Sequence, residues 1–230
     1  MSRFAIALTI LLALAAFDDA IAAPILNSSF ETTTTAVAAR TCLVFAPAST
    51  SITSWTVVGA AGTDVGVCNT DFVQAGLSFV AEDGSNWLDL TGLNTNNDTQ
   101  GVQQTVATII GGSYTLSFWV GNLDSPSTGF GVTSTVNVFA NSTALGAFTN
   151  NCTTCTTTQG WTQFSTPFTA TSTSTTLTFL NGDPASDNTN GLDNLVLTDN
   201  GPAAVPEPSS IVLLGLGLLG LAGWRRWRNS

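Results

Sequence analysis

Gly112-Ser113-Tyr114-Thr115-Leu116-Ser117-Phe118-Trp119-Val120 decides the fold of this chain. In an extended strand successive side chains point to opposite faces, so Tyr114, Leu116, Phe118 and Val120 share one face. Ser113, Thr115, Ser117 and Trp119 share the other. The same period of two recurs more weakly at Leu88 and Leu90, Val136 and Val138, Leu177 and Phe179, and Leu195 and Leu197. Turn-forming stretches separate these runs: Gly92 to Asp98, Gly111-Gly112 and Asn181-Gly182-Asp183-Pro184. Thr, Ser, Asn, Gly and Val dominate, strong helix formers are scarce, and no internal repeat is visible. Short, evenly spaced strands of this kind predict an all-β protein, a jelly-roll β-sandwich that closes its sheet edges.

Both ends of the chain depart from that pattern. Met1-Ser2-Arg3 is a short positive start, Phe4 to Phe17 is an apolar core, and Ala20-Ile21-Ala22 places small residues at alternate positions. This reads as an N-terminal signal peptide helix over residues 1–23, cut by signal peptidase before Ala23 or Pro24. Asp18 and Asp19 are unusual so close to a cleavage site. At the other end an apolar run from Ile211 to Trp224 is followed by Arg225-Arg226-Trp227-Arg228. As a helix that run rises only about 21 Å, short of the ~30 Å hydrocarbon core, which suits transient membrane attachment better than a permanent anchor. The basic cluster holds its end on the cytoplasmic side and leaves everything before Pro206 outside. With the triplet Pro206-Glu207-Pro208, the short Gly/Leu-rich helix, and Arg225 and Arg226 in order, residues 205–230 resemble the PEP-CTERM sorting signal of bacterial exported proteins. That resemblance implies an exosortase as processing partner and a short transmembrane sorting helix over 211–224 that enters the inner membrane transiently. It also implies delivery to the cell surface or extracellular matrix of a Gram-negative-type bacterium.

Residues 24–204 remain, enough for one β-sandwich domain. The chain has 15 Asp and Glu against 5 Lys and Arg, no His, and a formal net charge of −10. Arg40 is the one basic residue between positions 24 and 204. A domain so acidic has no footprint for nucleic acid, which needs clustered cations. Without His or Lys it also lacks ordinary Ser-His or Cys-His nucleophile activation, an imidazole metal site and a Schiff-base amine, so no enzyme is expected. The 4 cysteines are Cys42, Cys68, Cys152 and Cys155. Export places them in an oxidising compartment where they pair, and three connectivities are possible. Local pairing, Cys42 with Cys68 and Cys152 with Cys155, is favoured because each pair lies in a Thr-rich polar segment that reads as a loop. A redox role for Cys152-Thr153-Thr154-Cys155 needs a βαβ context, and a four-Cys zinc site needs a second Cys-x-x-Cys knuckle.

Five landmarks carry a second resemblance, spread over residues 24–204: Asn27-Ser28-Ser29-Phe30-Glu31, Ser54-Trp55-Thr56, Asp83-Gly84-Ser85-Asn86-Trp87-Leu88-Asp89-Leu90, Val102-Gln103-Gln104 leading into Tyr114 to Phe118, and Gly191-Leu192-Asp193-Asn194-Leu195. Their order resembles that of galactose-binding-like jelly rolls, including several carbohydrate-binding module families. Ser28 stands where relatives have Gly. The resemblance implies a structural Ca²⁺ held by Glu31 and Asp193, a hard oxygen site of the kind extracellular modules use. Sugar recognition would need an aromatic face, for which Trp119 and Trp87 are the carbohydrate-binding candidates, while Trp55 and Trp161 read as core. Phe130 lies in a loop. The loop from Asp183 to Asp193 lacks the EF-hand pattern, and its Asp and Asn residues read as turn formers.

An exported, non-catalytic surface or matrix protein that binds extracellular polysaccharide is therefore expected, with a purely structural or adhesive coat protein as the alternative. A glycoside hydrolase would have to draw on Glu82, Asp83 and Asp89, and the adjacent Glu82 and Asp83 make a poor pair. Intact-mass measurement on surface-released protein is expected to show a chain lacking residues 211–230. Released protein that keeps the full tail would contradict the processing expected from Pro206-Glu207-Pro208.

Overall fold

A computed structural model describes residues 24–93 and 100–202. The signal peptide expected over 1–23 and the sorting helix expected over 211–224 lie outside the described residues. Among the described residues no helix is long and apolar enough to cross a membrane.

The strands before residue 94 are β1 (Cys42–Phe45), β2 (Thr56–Val58), β3 (Val65–Asn69), β4 (Phe72–Gln74), β5 (Leu77–Phe79) and β6 (Asn86–Asp89). After residue 99 come β7 (Gly101–Ala107), β8 (Gly112–Asn122), β9 (Ser134–Ala140), β10 (Thr143–Asn150), β11 (Gly160–Thr169), β12 (Ser174–Asn181) and β13 (Gly191–Pro202). They form a six-stranded sheet in the order β1-β3-β6-β13-β8-β11 and a five-stranded sheet in the order β10-β9-β12-β7-β2. β4 and β5 make a separate hairpin. Sequence neighbours are scattered across the two sheets, as in the jelly roll that the alternating pattern predicts.

The main core lies between the sheets. β8 alternates as expected, with Tyr114, Leu116, Phe118 and Val120 fully buried and the intervening residues partly exposed. From the opposing sheet Val136, Val138, Leu177 and Phe179 meet them, and Phe118 and Phe179 pack edge to face at 5.7 Å. Trp55 closes one end of this core, 5.3 Å from Phe30, and its Nε1–H donates to the Asn27 carbonyl at 3.0 Å. Asn27 ties the entry of the chain: its Nδ2 reaches Thr32 O and Thr53 O, each at 2.9 Å, and its Oδ1 takes Thr32 N–H at 2.9 Å. Asn27 and Phe30 adopt φ of 50° and 56°, so the left-handed turns fall on them and Ser28 has no need to be glycine.

A second apolar cluster covers the outer face of the six-stranded sheet. Cys68, Leu77, Phe79, Trp87, Leu123 and Phe130 are buried there, with Cys42, Phe72, Ala81 and Trp161 packed against them. The β4–β5 hairpin supplies the lid, held by Ser78 N–H to Thr157 O at 3.0 Å and Gln159 N–H to Ser78 O at 2.9 Å. As a result every residue of β6 is buried, Leu88 toward one core and Trp87 toward the other.

Both local disulfides are present, Cys42–Cys68 and Cys152–Cys155. The first corrects the loop assignment: Cys42 and Cys68 are directly paired across β1 and β3, where they belong to the second cluster. The second sits in the β10–β11 connection. The Cys42–Cys68 bridge spans 26 residues and the Cys152–Cys155 bridge spans 3. On a chain-entropy account replacing the first pair by Ala is expected to cost about 3 kcal/mol and the second roughly half that, read from urea denaturation of the two double variants. Equal losses would contradict this ranking.

Candidate functional site

The outer face of the six-stranded sheet divides into a covered half and an open half. On the covered half Trp87 is 1% exposed, stacked on Phe79 at 6.1 Å and set edge-on to Trp161 at 6.2 Å. This corrects its assignment as a carbohydrate platform, because no ring face is left for a sugar. The period of two in Asn86-Trp87-Leu88 points Trp87 away from the main core, and the β4–β5 hairpin then closes over it. Trp161 lies at the border, half-buried, with Nε1–H donating to Val80 O at 2.9 Å. Its ring rests on bare backbone: a Cβ would come within 2.9 Å of it at Gly121 and 2.8 Å at Gly191. Phe130 is 4% exposed, another aromatic lost to the second cluster.

Trp119 lies on the open half. It is half-buried, with Gln163 of β11 and Asp193 of β13 as its Cα partners on either side. Along the same face Ser117 pairs with Ser165 and with Val196, which is 47% exposed. This leaves one indole among hydroxyl groups, the Gln163 amide and the apolar Val196. A bulge in β13 between Asp193 and Val196, with Asn194 at φ 47°, turns the next residue toward loop 82–86. There Asn194 Nδ2 donates to Glu82 Oε2 at 2.7 Å.

Glu31 and Asp193 grip that loop from two sides. Asp193 is fully buried, its Oδ2 accepting the N–H groups of Glu82 at 2.9 Å and Asp83 at 3.1 Å, its Oδ1 that of Asn194 at 2.8 Å. Glu31 Oε1 accepts the N–H groups of Ser85 and Asn86, both at 2.8 Å. Gly84 allows this, since a Cβ there would come within 2.4 Å of Glu31 Oε1. Ser29 Oγ–H adds a bond to Asp83 Oδ2 at 2.8 Å. Burial pushes the Asp193 carboxyl up to about 8, opposed by the three amides and reinforced by the neighbouring charge of Glu82. N–H donors thus occupy both oxygens of Asp193 and Oε1 of Glu31, and the pair caps the turn of loop 82–86. Among the described residues no three Asp, Glu or Cys side chains gather at one metal-binding point.

Of the carboxylates available for hydrolysis, Glu82 and Asp83 sit together on this loop. Asp89 is buried at the far end of β6, where Thr91 gives its Oδ1 an N–H at 3.0 Å and an O–H at 2.6 Å. Burial raises Asp89 to about 7. At the same end of the sandwich lie Asp183 and Asp187, raised to about 8 and about 7, in each case first by burial; the charge of Asp187 lifts Asp183 further. Asp187 fills the space in front of Gly131, where a Cβ would lie 1.7 Å from its Oδ2. Sequence reasoning took these residues for turn formers. The signal that could have singled them out is acidic clustering in a segment with no basic residue nearby.

The chain is similar in structure to a Stig cyclase, FisC, from Fischerella sp. TAU in complex with an indole compound, with 17% identity and a TM-score of 0.54 over 80% of this chain and 99% of that one. A cyclase from the same organism in complex with 4-(1H-indol-3-yl)butan-2-one gives 18% identity and a TM-score of 0.55, covering 80% of this chain and all of that one. A looser likeness, TM-score 0.40 and 16% identity over 65% of this chain and 98% of the other, is to a family 35 carbohydrate-binding module from an environmental isolate. No curated protein matches the chain. Residues 204–226 match the PEP-CTERM protein-sorting motif, which indicates an exported protein sorted toward the cell surface. Residues 23–197, most of the chain, match the family described as proteins of unknown function, DUF642, and the protein belongs to that family.

Proposed function

We propose that this protein is a non-catalytic surface or matrix component that binds extracellular polysaccharide on the open half of its six-stranded sheet. One observation carries the reading: Trp119 stands partly exposed on a face made mainly of Ser, Thr and Gln side chains, with Val196 exposed beside Ser117. An indole face packs against the apolar C–H side of a sugar ring, while neighbouring amides and carboxylates exchange hydrogen bonds with its hydroxyls. Gln163 is the cross-strand partner of Trp119 on one side, and Asn194, bonded to Glu82, follows directly after Asp193, its partner on the other. The sorting motif supports the setting, since it sends the domain to where such polymers are found. On this reading the signal peptide over 1–23 and the tail over 205–230 serve delivery, and residues 24–204 serve binding.

The fold alone assigns no chemistry, because one scaffold hosts many sites. The placement of the carboxylates argues for binding. Asp89 is sealed under side chains at the end of β6, and Glu82 is engaged by Asn194. A hydrolase needs two carboxyl groups facing one another across a bound sugar.

Affinity electrophoresis against exopolysaccharide from the producing cells tests the proposal. Trp119→Ala is expected to weaken retention about tenfold, equivalent to ~1.4 kcal/mol, with little change in melting temperature. Trp87→Ala is expected to cost about 3–5 kcal/mol of stability through the cavity it leaves. Unretarded migration of the unaltered protein, or retention indifferent to Trp119→Ala, would favour the purely structural coat protein.

A further inference from the structure

The connection between β12 and β13 contains three buried oxygens without a hydrogen-bond partner: Asp183 Oδ2, Thr189 Oγ1 and Asn190 Oδ1. Their residues are 2%, 1% and 0% exposed. Shared anchors hold Asp183 and Asn190 together. Asn181 Oδ1 accepts both the Asp183 N–H at 3.2 Å and the Asn190 Nδ2–H at 2.7 Å. Thr135 gives its N–H to Asp183 Oδ1 at 2.6 Å, and its carbonyl takes Asn190 Nδ2–H at 2.5 Å. One side-chain atom of each, Asp183 Oδ1 and Asn190 Nδ2, is held by the backbone of Thr135, so the unpartnered Asp183 Oδ2 and Asn190 Oδ1 belong to side chains anchored on the same residue. Asp187 comes in from within the connection, its N–H on Pro184 O at 2.9 Å and its Oδ1 accepting Thr189 N–H at 3.3 Å.

Buried polar atoms are almost always satisfied, so three orphans in one short connection call for a missing partner. A buried water could donate hydrogen bonds to them, but it brings no charge. The charges of Asp187 and Asp89 both reach Asp183, and a buried carboxylate stays ionised only beside an opposite charge. Arg40, the one basic residue between positions 24 and 202, cannot provide it. The pairings Cys42 with Cys68 and Asn69 with Asn86 put Arg40 beyond the Asn86 end of β6, whereas Asp89 closes the opposite end.

We propose that the β12–β13 connection binds one divalent, oxygen-seeking cation, Ca²⁺, through Asp183 Oδ2, Asn190 Oδ1 and Thr189 Oγ1, with Asp187 adding negative charge. A mixed set of carboxylate, amide and hydroxyl oxygens suits the flexible coordination of Ca²⁺. Mg²⁺ demands near-octahedral geometry and gives up its waters reluctantly. An exported module needs only about 10⁻⁴ to 10⁻³ M affinity. The site is separate from loop 82–86, where Glu31 and Asp193 already accept backbone donors.

The test is a melting titration of the full chain in detergent, first stripped with chelator and then supplied with CaCl₂ or MgCl₂. A ligand that binds only the folded state should raise the melting temperature by roughly 5–10 °C at a hundredfold excess over Kd. That rise is expected with Ca²⁺, to be lost in Asp183→Asn and in Thr189→Val, and to persist in Glu31→Gln. Thr189→Val keeps the side-chain shape and decides the matter should Asp183→Asn fail to fold. No rise in the unaltered protein would overturn the proposal and leave water as the partner of the orphaned oxygens. A rise abolished by Glu31→Gln but kept in Thr189→Val would overturn it in favour of an ion near loop 82–86.

Discussion

The burial of β6 between two apolar layers is the constraint on which the rest of the molecule depends. A strand at the middle of a sandwich ordinarily shows one face to its partner sheet and the other to water. Here Leu88 enters the main core while Trp87 meets Phe79 and Trp161 under the β4–β5 hairpin. Covering that half of the outer face leaves the half around Trp119 as its open counterpart. The same covering requires Gly121 and Gly191 beneath Trp161, and it brings the Cys42–Cys68 bridge into a dry environment next to Trp87. Open surface and lid are thus two parts of one sheet face.

Charge is handled by backbone, because almost no basic side chains exist to do it. Asp193 takes three amide N–H groups, Glu31 takes two, and Asp89 relies on Thr91. Hydrogen bonds to an ionised carboxylate stabilise it, yet at Asp193 burial outweighs them. These contacts also order the chain. Loop 82–86, with two acidic residues of its own, is drawn onto the sheet by carboxylates from the opening segment and from β13, which are 162 positions apart (193 − 31).

The fold was legible wherever period two reported a face that had to be buried. β8 is the clearest case, and the pairs Val136/Val138 and Leu177/Phe179 fall on the predicted inner faces. Trp87 was not legible, because alternation says that it points away from the main core but says nothing of a hairpin that folds over it. Cys42 and Cys68 read as loop residues since Thr-rich polar flanks hide two short strands; their pairing was right and their setting was not. Ser28 raised a question about backbone freedom that depends on φ, which Asn27 and Phe30 absorb. Asp183, Thr189 and Asn190 look like any Asn/Asp-rich turn until burial shows which of their oxygens lack partners.

Arg40 also fixes where a protease of trypsin specificity can cut the domain. An enzyme of trypsin specificity finds a single cleavable bond between positions 24 and 202, Arg40–Thr41, in an exposed turn where Arg40 itself has φ 62°. The next residue but one, Cys42, is covalently fixed to Cys68, so the chain after the cut keeps its place at the edge of the six-stranded sheet. The piece before it holds no cysteine and stays through Phe30 in the core, the Asn27 bonds and the grip of Glu31 on loop 82–86. A nicked molecule would therefore keep its shape while having gained a new pair of chain ends at that one turn.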